Sequence, residues 1–434
     1  MMILIPQYRT SRKANRPIVT LIYDEQFTAD KSAPIPSNTA FAASHVGQTK
    51  CYNHSASDSI SGGKFNYATP GSSNAMVIDA AAARSRLQGR VHYCKHATAV
   101  GATDFQSFLP IALVGESPAS NWWALMEGQP GIIFKGGAAG FGDVRNLTPP
   151  TQGNYQWKSA VTQNGIYEWA IVERITGSMS LVRVDSGDWK VIWFEKSTTQ
   201  SGKIHARQTS CGAVPTIDRL CTANTSWYPA PLVQHSFAAA TTPSDGDGQP
   251  ESEGGGIAGT SVGSVTISGS ALQMSADGEG FVYFDAGQAD VGICADLTVY
   301  DTSRAGIVFR VVDASNYLAV VVEPSTNTIK IIEVVAGVET TLASQDSNLT
   351  PDFYNLASGS AIYLTVFVDG NDIRAGYAPG ALHLTHTSVA SSRHAGATGV
   401  GCLVAKGAAA SSAAAANLCA FALVQNVPEM EAYP

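Results

Sequence analysis

Three blocks of this chain occur twice, in the same order, and that repetition constrains the fold more than any single motif. Ser120-Asn121-Trp122-Trp123-Ala124-Leu125-Met126 is answered by Ser315-Asn316-Tyr317-Leu318-Ala319-Val320-Val321, an offset of 195 residues from 120 to 315. Gly165 to Val172 is answered by Ser360 to Phe367, with Tyr167 against Tyr363 at an offset of 196. Upstream, Gly63 to Ala68 and on to Ile78-Asp79-Ala80 resembles Ser270 to Ser275 and on to Phe284-Asp285-Ala286, near 207. Offsets that drift by about a dozen residues are what loop insertions produce. A period near 200 is far too long for a solenoid, so the pattern predicts a duplicated domain, with Asn121 and Asn316 at equivalent positions.

Composition bounds what each copy is. A chain of 434 residues is long enough for two independent cores. Charged residues make up only 14 %, Gly, Ala, Ser, Thr and Val are abundant, and the balance is that of an all-β protein rich in tight turns. A net charge of −8 offers nucleic acid no general attraction, and no apolar run approaches bilayer length. Met1-Met2-Ile3-Leu4-Ile5 is too short for a secretory h-region and precedes the basic stretch instead of following it, so synthesis and folding in a cytoplasm are expected.

Strands are clearest in the second half. Arg304 to Val312 is a β-branched run closed by Asp313-Ala314-Ser315-Asn316; Tyr317 to Glu323 is closed by Pro324-Ser325-Thr326-Asn327; Thr328 to Val335 turns at Ala336-Gly337 into Glu339 to Leu342. Ile362 to Val368 and Ile373 to Tyr377 flank Asp369-Gly370-Asn371, a hairpin signal. Strands recurring every 8–12 residues with no helical period between them describe an antiparallel sandwich. Ile362 to Val368 is apolar at nearly every position, as in a strand covered on both faces.

On these residues the chain resembles the concanavalin-like jelly-roll family in its laminin-G-like form. The pattern is Gly306-Ile307-Val308-Phe309-Arg310, Asp313 to Tyr317, Ile331 to Val334 with Gly337, Tyr363 to Gly370, and a closing Gly399-Val400-Gly401. The first half keeps the skeleton in Pro110 to Val114, the Asn121 strand, Gly131 to Phe134 and the Tyr167 strand, without the arginine or the Asp-Gly turn. The resemblance implies two tandem antiparallel jelly-roll β-sandwiches, at residues 18–227 and 232–428, behind an extended basic arm over 1–17. Tyr23 to Phe27 and Gln234 to Phe237 would be equivalent opening strands. Thr241 to Gly263 reads as a linker by composition and as a long loop inside the second copy by alignment. Ala408 to Ala416, although Ala-rich, reads as a loop before a final strand over Asn417 to Gln425.

Several constellations invite chemistry. His92, Cys94 and His96 alternate and would share one strand face, three soft ligands in line; without a distant fourth, partly buried strand residues are the favoured reading over a metal. Members of the family often bind calcium through loop carboxylates, which makes Asp313, Asp369 and Asp372 the candidates, although turns attract Asp for backbone reasons. Seven cysteines leave at least one unpaired. Cys211 with Cys221 and Cys402 with Cys419 bracket matching loops; buried free thiols are favoured over staples. All seven tryptophans lie between Trp122 and Trp227. Jelly-roll lectins stack aromatic faces on sugar rings, so Trp123, Trp157 and Trp189 are the glycan-binding candidates, against core packing as the plain alternative.

No catalytic set competes. The Glu-x-Asp-x-x-Glu of laminarinase-type jelly rolls is absent, as are a Gly-x-Ser-x-Gly elbow, a phosphate loop and a His-Glu-x-x-His helix. The expectation is a non-catalytic display protein without a cofactor. Arg9, Arg12, Lys13 and Arg16 form the arm, an assembly anchor that orders on a partner; Asp245, Asp247, Glu251 and Glu253 complement it electrostatically, either in a neighbouring copy or by coincidence. Tandem jelly rolls of this composition resemble tailed-bacteriophage virion proteins: tail, fibre or capsid-decorating components. That resemblance implies partners among other virion proteins, copies of itself and host-surface glycans, with no nucleic acid and no membrane insertion. An extracellular bacterial carbohydrate-binding protein and a ligand-free virion scaffold are the alternatives.

Overall fold

The structure is a computed structural model. It describes residues 19–26, 39–40, 50–53, 59–66, 74–79, 89–97, 106–114, 131–136, 141–146, 157–160, 166–174, 177–195, 203–209, 216–225, 231–237, 259–300, 302–346, 358–378, 382–387, 394–408, 411–425 and 427. The arm residues Arg9, Arg12, Lys13 and Arg16, together with Trp123, Cys211 and the acidic segment 245–253, lie outside them.

The described chain is almost wholly β. Its first strands are β1 (Val19–Glu25), β2 (Thr39–Ala40), β3 (Lys50–Asn53), β4 (Ser59–Ser61), β5 (Lys64–Asn66), β6 (Asn74–Asp79), β7 (Gly89–Ala97) and β8 (Gln106–Val114). They continue as β9 (Gly131–Gly136), β10 (Phe141–Asn146), β11 (Trp157–Ala160), β12 (Ile166–Arg174), β13 (Gly177–Val184), β14 (Trp189–Glu195), β15 (Lys203–Thr209) and β16 (Thr216–Thr225). Then come β17 (Val233–His235), β18 (Thr260–Val262), β19 (Val265–Ser268), β20 (Ala271–Met274), β21 (Gly278–Asp285), β22 (Val291–Val299), β23 (Ala305–Asp313) and β24 (Asn316–Glu323). The last are β25 (Thr328–Val335), β26 (Val338–Asp346), β27 (Ser360–Asp369), β28 (Asp372–Ala378), β29 (Leu382–Thr387), β30 (Gly399–Lys406), β31 (Ala414–Ala422) and β32 (Val424–Gln425).

All pairings are antiparallel and form four sheets. Sheet I runs β4-β5-β16-β7-β12-β13-β14-β32, with β1 also on β16; sheet II runs β2-β3-β6-β15-β8-β9-β10-β11. Sheet III runs β19-β20-β31-β22-β27-β28-β29, with β17 on β31; sheet IV runs β18-β21-β30-β23-β24-β25-β26. Adding fifteen to the strand numbers of sheet I from β4 to β14 yields sheet III, and the same shift from β3 to β11 turns sheet II into sheet IV. The repeat read from the sequence is thus a repeat of strand order. Two of its three blocks fall on matching strands, β12 with β27 and β5–β6 with β20–β21. The third does not: the place of β24 is taken by β9, Gly131–Gly136, whereas residues 120–126 lie outside the described residues. The expected equivalence of Asn121 with Asn316 thus falls on a residue outside the described ones; a short apolar match fits any strand that keeps period-two alternation.

Alternation explains the core. On β22, Val291, Ile293, Ala295, Leu297 and Val299 point one way; on β27, Ile362, Leu364, Val366 and Val368 join them. Across the gap they meet Ile307 and Phe309 of β23, Leu318, Val320 and Val322 of β24, and Val400 and Val404 of β30. Sheets III and IV thereby form a sandwich with a single apolar interior. Each such residue contributes about 1.5–3 kcal/mol on full burial. Thr365 to Val368 on β27 are buried on both faces, as the apolar run requires.

Smaller corrections follow. Of the Gly-rich stretch 241–263, read both as a linker and as a loop within the second copy, residues 241–258 lie outside the described residues, and its last residues include β18 of sheet IV. The final strand opens at Ala414, three residues ahead of Asn417, so part of the Ala-rich run is strand. Arg310 sits at a bulge of β23 with φ +47 and 1 % exposure, a conformation few non-glycine residues adopt. Its Nη2 donates to Asp290 Oδ1 at 3.0 Å and to the Gly370 carbonyl at 2.5 Å, tying β23 to the β27–β28 turn. After β31 the chain leaves sheet III, and β32 pairs with β14 of sheet I, Lys190 opposite Val424, with the Val191 amide donating to the Leu423 carbonyl at 2.8 Å.

Candidate functional site

Sheet IV sorts its charged residues onto one face. Ala305, Ile307 and Phe309 point into the sandwich, so Arg304 and Val308 point out. By the same alternation Glu279 lies beside Phe281, Glu323 beside Val321, Lys330 beside Ile332, and Glu339 opposite Val334. This outer face holds a second buried apolar cluster: Phe281, Val308, Tyr317, Val321, Ile332 and Leu403 are among its members.

Arg304 lies across that face. Its Nε donates to Glu279 Oε2 at 2.5 Å and its Nη2 to Glu279 Oε1 at 3.1 Å. Its Nη1 donates to Glu323 at 3.2 Å and Glu339 at 3.3 Å, and its Nη2 also reaches Glu339 at 2.7 Å. One nitrogen thus touches carboxylates from β21 and β26, which are five places apart in the sheet order. In a flat sheet they would be roughly 24 Å apart, so this face must curl around the guanidinium. Burial alone would lower the arginine's pKa, but the hydrogen bonds it donates to Glu279 and Glu339 raise it. Glu323 is desolvated, yet Lys330, whose ammonium donates to it, and Arg304 hold it below the usual carboxylate range. Burial and the charge of Glu279 push the Tyr317 phenol up to about 12.

A cleft of about 460 Å³ opens beside this cluster, lined by Glu279, Thr302, Arg304, Glu323, Ser325 and Lys406 among others. It lies where β21 and β23 begin and β24 and β30 end. Local sequence builds its rim. Pro324 opens a single 3-10 turn and Asn327, at φ +52, closes it, presenting Ser325 outward. Gly278 adopts φ +128, and a Cβ on Gly407 would stand 2.9 Å from the Thr302 carbonyl, so neither position accepts a side chain without strain. The sequence did mark these residues, as charges at outward positions of otherwise apolar strands, but motif reading passed over them.

The sites expected from sequence are arranged differently. His92, Cys94 and His96 do share one face of β7, and all three are fully buried, more so than the partly buried strand positions expected. His96 stacks on Tyr167 and Trp169 at centroid distances of 5.4 and 5.9 Å, and His92 Nδ1 lies 3.1 Å from Thr222 Oγ1. Burial lowers the His96 pKa to about 3. Asp313 accepts from the Ser315 amide and the Asn316 side chain in its own turn, and Asp369 pairs in register with Asp372 across a hairpin. Asp313 thus serves its own turn, and Asp369 lies 3.9 Å from Arg374 Nη2 and 4.0 Å from Lys190 Nζ. Among the described residues no three His, Cys, Asp or Glu side chains gather to hold a metal ion.

Trp189 is not the exposed platform expected. It is 6 % exposed, with the Arg183 guanidinium 5.0 Å over its ring and the Tyr93 ring edge-on at 6.3 Å. Tyr93 donates to Glu168, which also takes a bidentate pair from Arg183; Arg219 lies over Tyr93 and pairs with Asp24 at 2.7 Å. This polar chain lies on the opposite face of sheet I from the His–Trp stack and absorbs the tryptophan into packing. Trp157 opens β11, and its side chain lies outside the described residues. Cys221, Cys402 and Cys419 are free thiols, as favoured; the pairing missed is Cys294 with Cys419, directly opposite on β22 and β31.

No protein-family model matches the chain, and no curated protein sequence matches it. Solved structures similar to parts of it include the carbohydrate-binding module CBM66 from Bacillus subtilis, at 15 % identity over 38 % of this chain and 95 % of that one, TM-score 0.30. Another is the CBM2 module of the evolved Dit of Lactobacillus casei BL23 phage J-1, at 11 % identity over 49 % and 99 %, TM-score 0.34. A third is the Ca2+/Man2-bound exoplasmic/lumenal domain of VIP36, at 15 % identity over 45 % and 92 %, TM-score 0.32.

Proposed function

We propose that this chain is a non-catalytic glycan-binding protein of a tailed-phage virion. In this reading an extended basic arm at 1–17 precedes two jelly-roll modules, 18–227 and 232–428, and the sugar site is the cleft of sheet IV rather than the tryptophans. The observation that carries it is the cleft itself: a sugar-sized recess walled by hydroxyls and carboxylates at the end of a jelly-roll sheet. The shift at Glu323 runs away from the raised pKa that a glycosidic general acid needs, which supports the non-catalytic reading. Partners are host-surface glycans, copies of the chain and other virion proteins, with avidity from copy number raising weak single-site affinity.

Two measurements test this. Mass spectrometry of purified particles should find the chain at a fixed stoichiometry, and deleting Met1–Arg16 should abolish incorporation while the sheets stay folded. A glycan array should return hits that disappear with Ser325→Trp, which fills the cleft from an exposed turn. Absence from particles would favour the extracellular bacterial reading; presence with no hit would leave a scaffold.

A further inference from the structure

The cleft beside Arg304 has the outward look of an anion trap, an arginine and a lysine at the mouth of a recess, and its hydrogen-bond inventory contradicts that look. A guanidinium has five N–H donors. Arg304 makes five hydrogen bonds, all to Glu279, Glu323 and Glu339, so every donor is engaged inside the protein. Lys406 has Asp277 at 3.8 Å, and Lys330 is held by Glu323. The cluster of Arg304, Lys330 and three glutamates carries one net negative charge. An incoming carboxylate, sulfate or phosphate would find no free guanidinium donor, only lysine ammoniums already held beside carboxylates and the two rim hydroxyls, and it would enter a field of net negative charge.

What the cluster does offer is acceptors. Each carboxylate oxygen has more than one acceptor direction, and a single cation cannot fill them all. The Thr302 and Ser325 hydroxyls both donate and accept at the same rim. Groups that donate hydrogen bonds without bringing charge are hydroxyls. We infer that the cleft selects neutral, hydroxyl-rich sugars and rejects glycans bearing a carboxylate, sulfate or phosphate at the bound ring. Arg304 then acts as a positioning residue: it orients the carboxylates of three strands toward the ligand without touching it as an electrostatic anchor. This inference rests on the glycan-binding reading above and narrows it.

Isothermal titration of the full-length chain tests it, with lactose, maltose and cellobiose as neutral probes and sialyllactose, glucuronic acid and glucose 6-phosphate as anionic ones. At least one neutral probe should bind saturably, lose at least tenfold affinity with Ser325→Trp, and bind at least tenfold better than every anionic probe. Glu323→Gln keeps the shape and removes one negative charge, so the neutral-to-anionic ratio should fall by threefold or more. Tighter binding of an anionic probe that is lost with Ser325→Trp, and that weakens from 50 to 500 mM salt, would overturn the selectivity and leave glycan binding standing. Sugar binding indifferent to Ser325→Trp would overturn the assignment to this cleft. No binding of any probe, joined by an empty glycan array, would overturn both.

Discussion

Acidification should destabilise sheet I through one side chain, His96, and the size of the effect follows from its surroundings. The ring is wholly buried against Tyr167 and Trp169, and burial lowers its pKa from 6.5 to about 3. An unfolded chain takes up a proton on this residue below pH 6.5, whereas the folded chain does so only near pH 3. Stability is therefore complete above pH 6.5 and is lost progressively as pH falls toward 3. At pH 5 the unfolded chain gains a factor of roughly 30, about 2 kcal/mol, and the full 3.5-unit gap corresponds to about 5 kcal/mol. Urea unfolding followed by tryptophan emission is the assay, because all seven tryptophans lie between residues 122 and 227 and so report on this half. His96→Leu removes the titration while keeping an apolar side chain in the stack, with His96→Gln as a second variant. The wild type should lose about 2 kcal/mol more than either variant between pH 8 and pH 5. Parallel stability curves for wild type and variants over that range would refute the assignment of acid sensitivity to this ring.

Three further outcomes are expected. Trp189→Ala should lower stability by about 3–5 kcal/mol in urea titrations, as for a large buried side chain, and leave sugar binding by the folded protein unchanged. Arg304→Ala exposes three carboxylates to one another; with the arginine 21 % exposed, a loss of about 2–3 kcal/mol at pH 7 is expected, recovering toward pH 4 as they protonate, read from Tm against pH. Burial pushes the Cys221 thiol up to about 12 and raises Cys402 as well, and a hydrogen bond with Cys294 together with burial raises Cys419, so a thiol reagent at pH 8 should modify all three only as fast as the protein unfolds.

What could be read from the sequence was whatever depended on period two. The alternation along Arg304 to Val312 and the unbroken apolar run of Ile362 to Val368 specify strands whatever lies beside them, and β23 and β27 follow those limits within two residues. Sheet neighbours are another matter. Asn121-Trp122-Trp123 matches Asn316-Tyr317-Leu318 as text, but only hydrogen-bond partners show that Gly131 to Gly136 occupies the place of β24. The site was illegible for a related reason. Arg304, Glu279, Glu323 and Glu339 come from four separate places in the chain, and only a curled sheet brings them to one guanidinium. Trp189 misled because an aromatic residue on a strand is equally suited to a lectin platform or to lying under an arginine.

The two-residue pairing of β32 with β14 also orders events during synthesis. Among the described residues, the outer edge of β14 is closed only by Val424 and Gln425. About 230 residues separate Glu195 from Gln425, so at ~5–20 residues per second that edge stands bare for roughly 10–45 s on the ribosome. The edge reads Trp-Lys-Val-Ile-Trp-Phe-Glu, a segment of high β propensity, and an unpaired strand of that kind recruits strands from other nascent chains. Neighbouring ribosomes on one message hold several such edges at once. β32 is then a stopper added long after the edge it covers, and chains prematurely ended before residue 424 would be released with the adhesive edge still open.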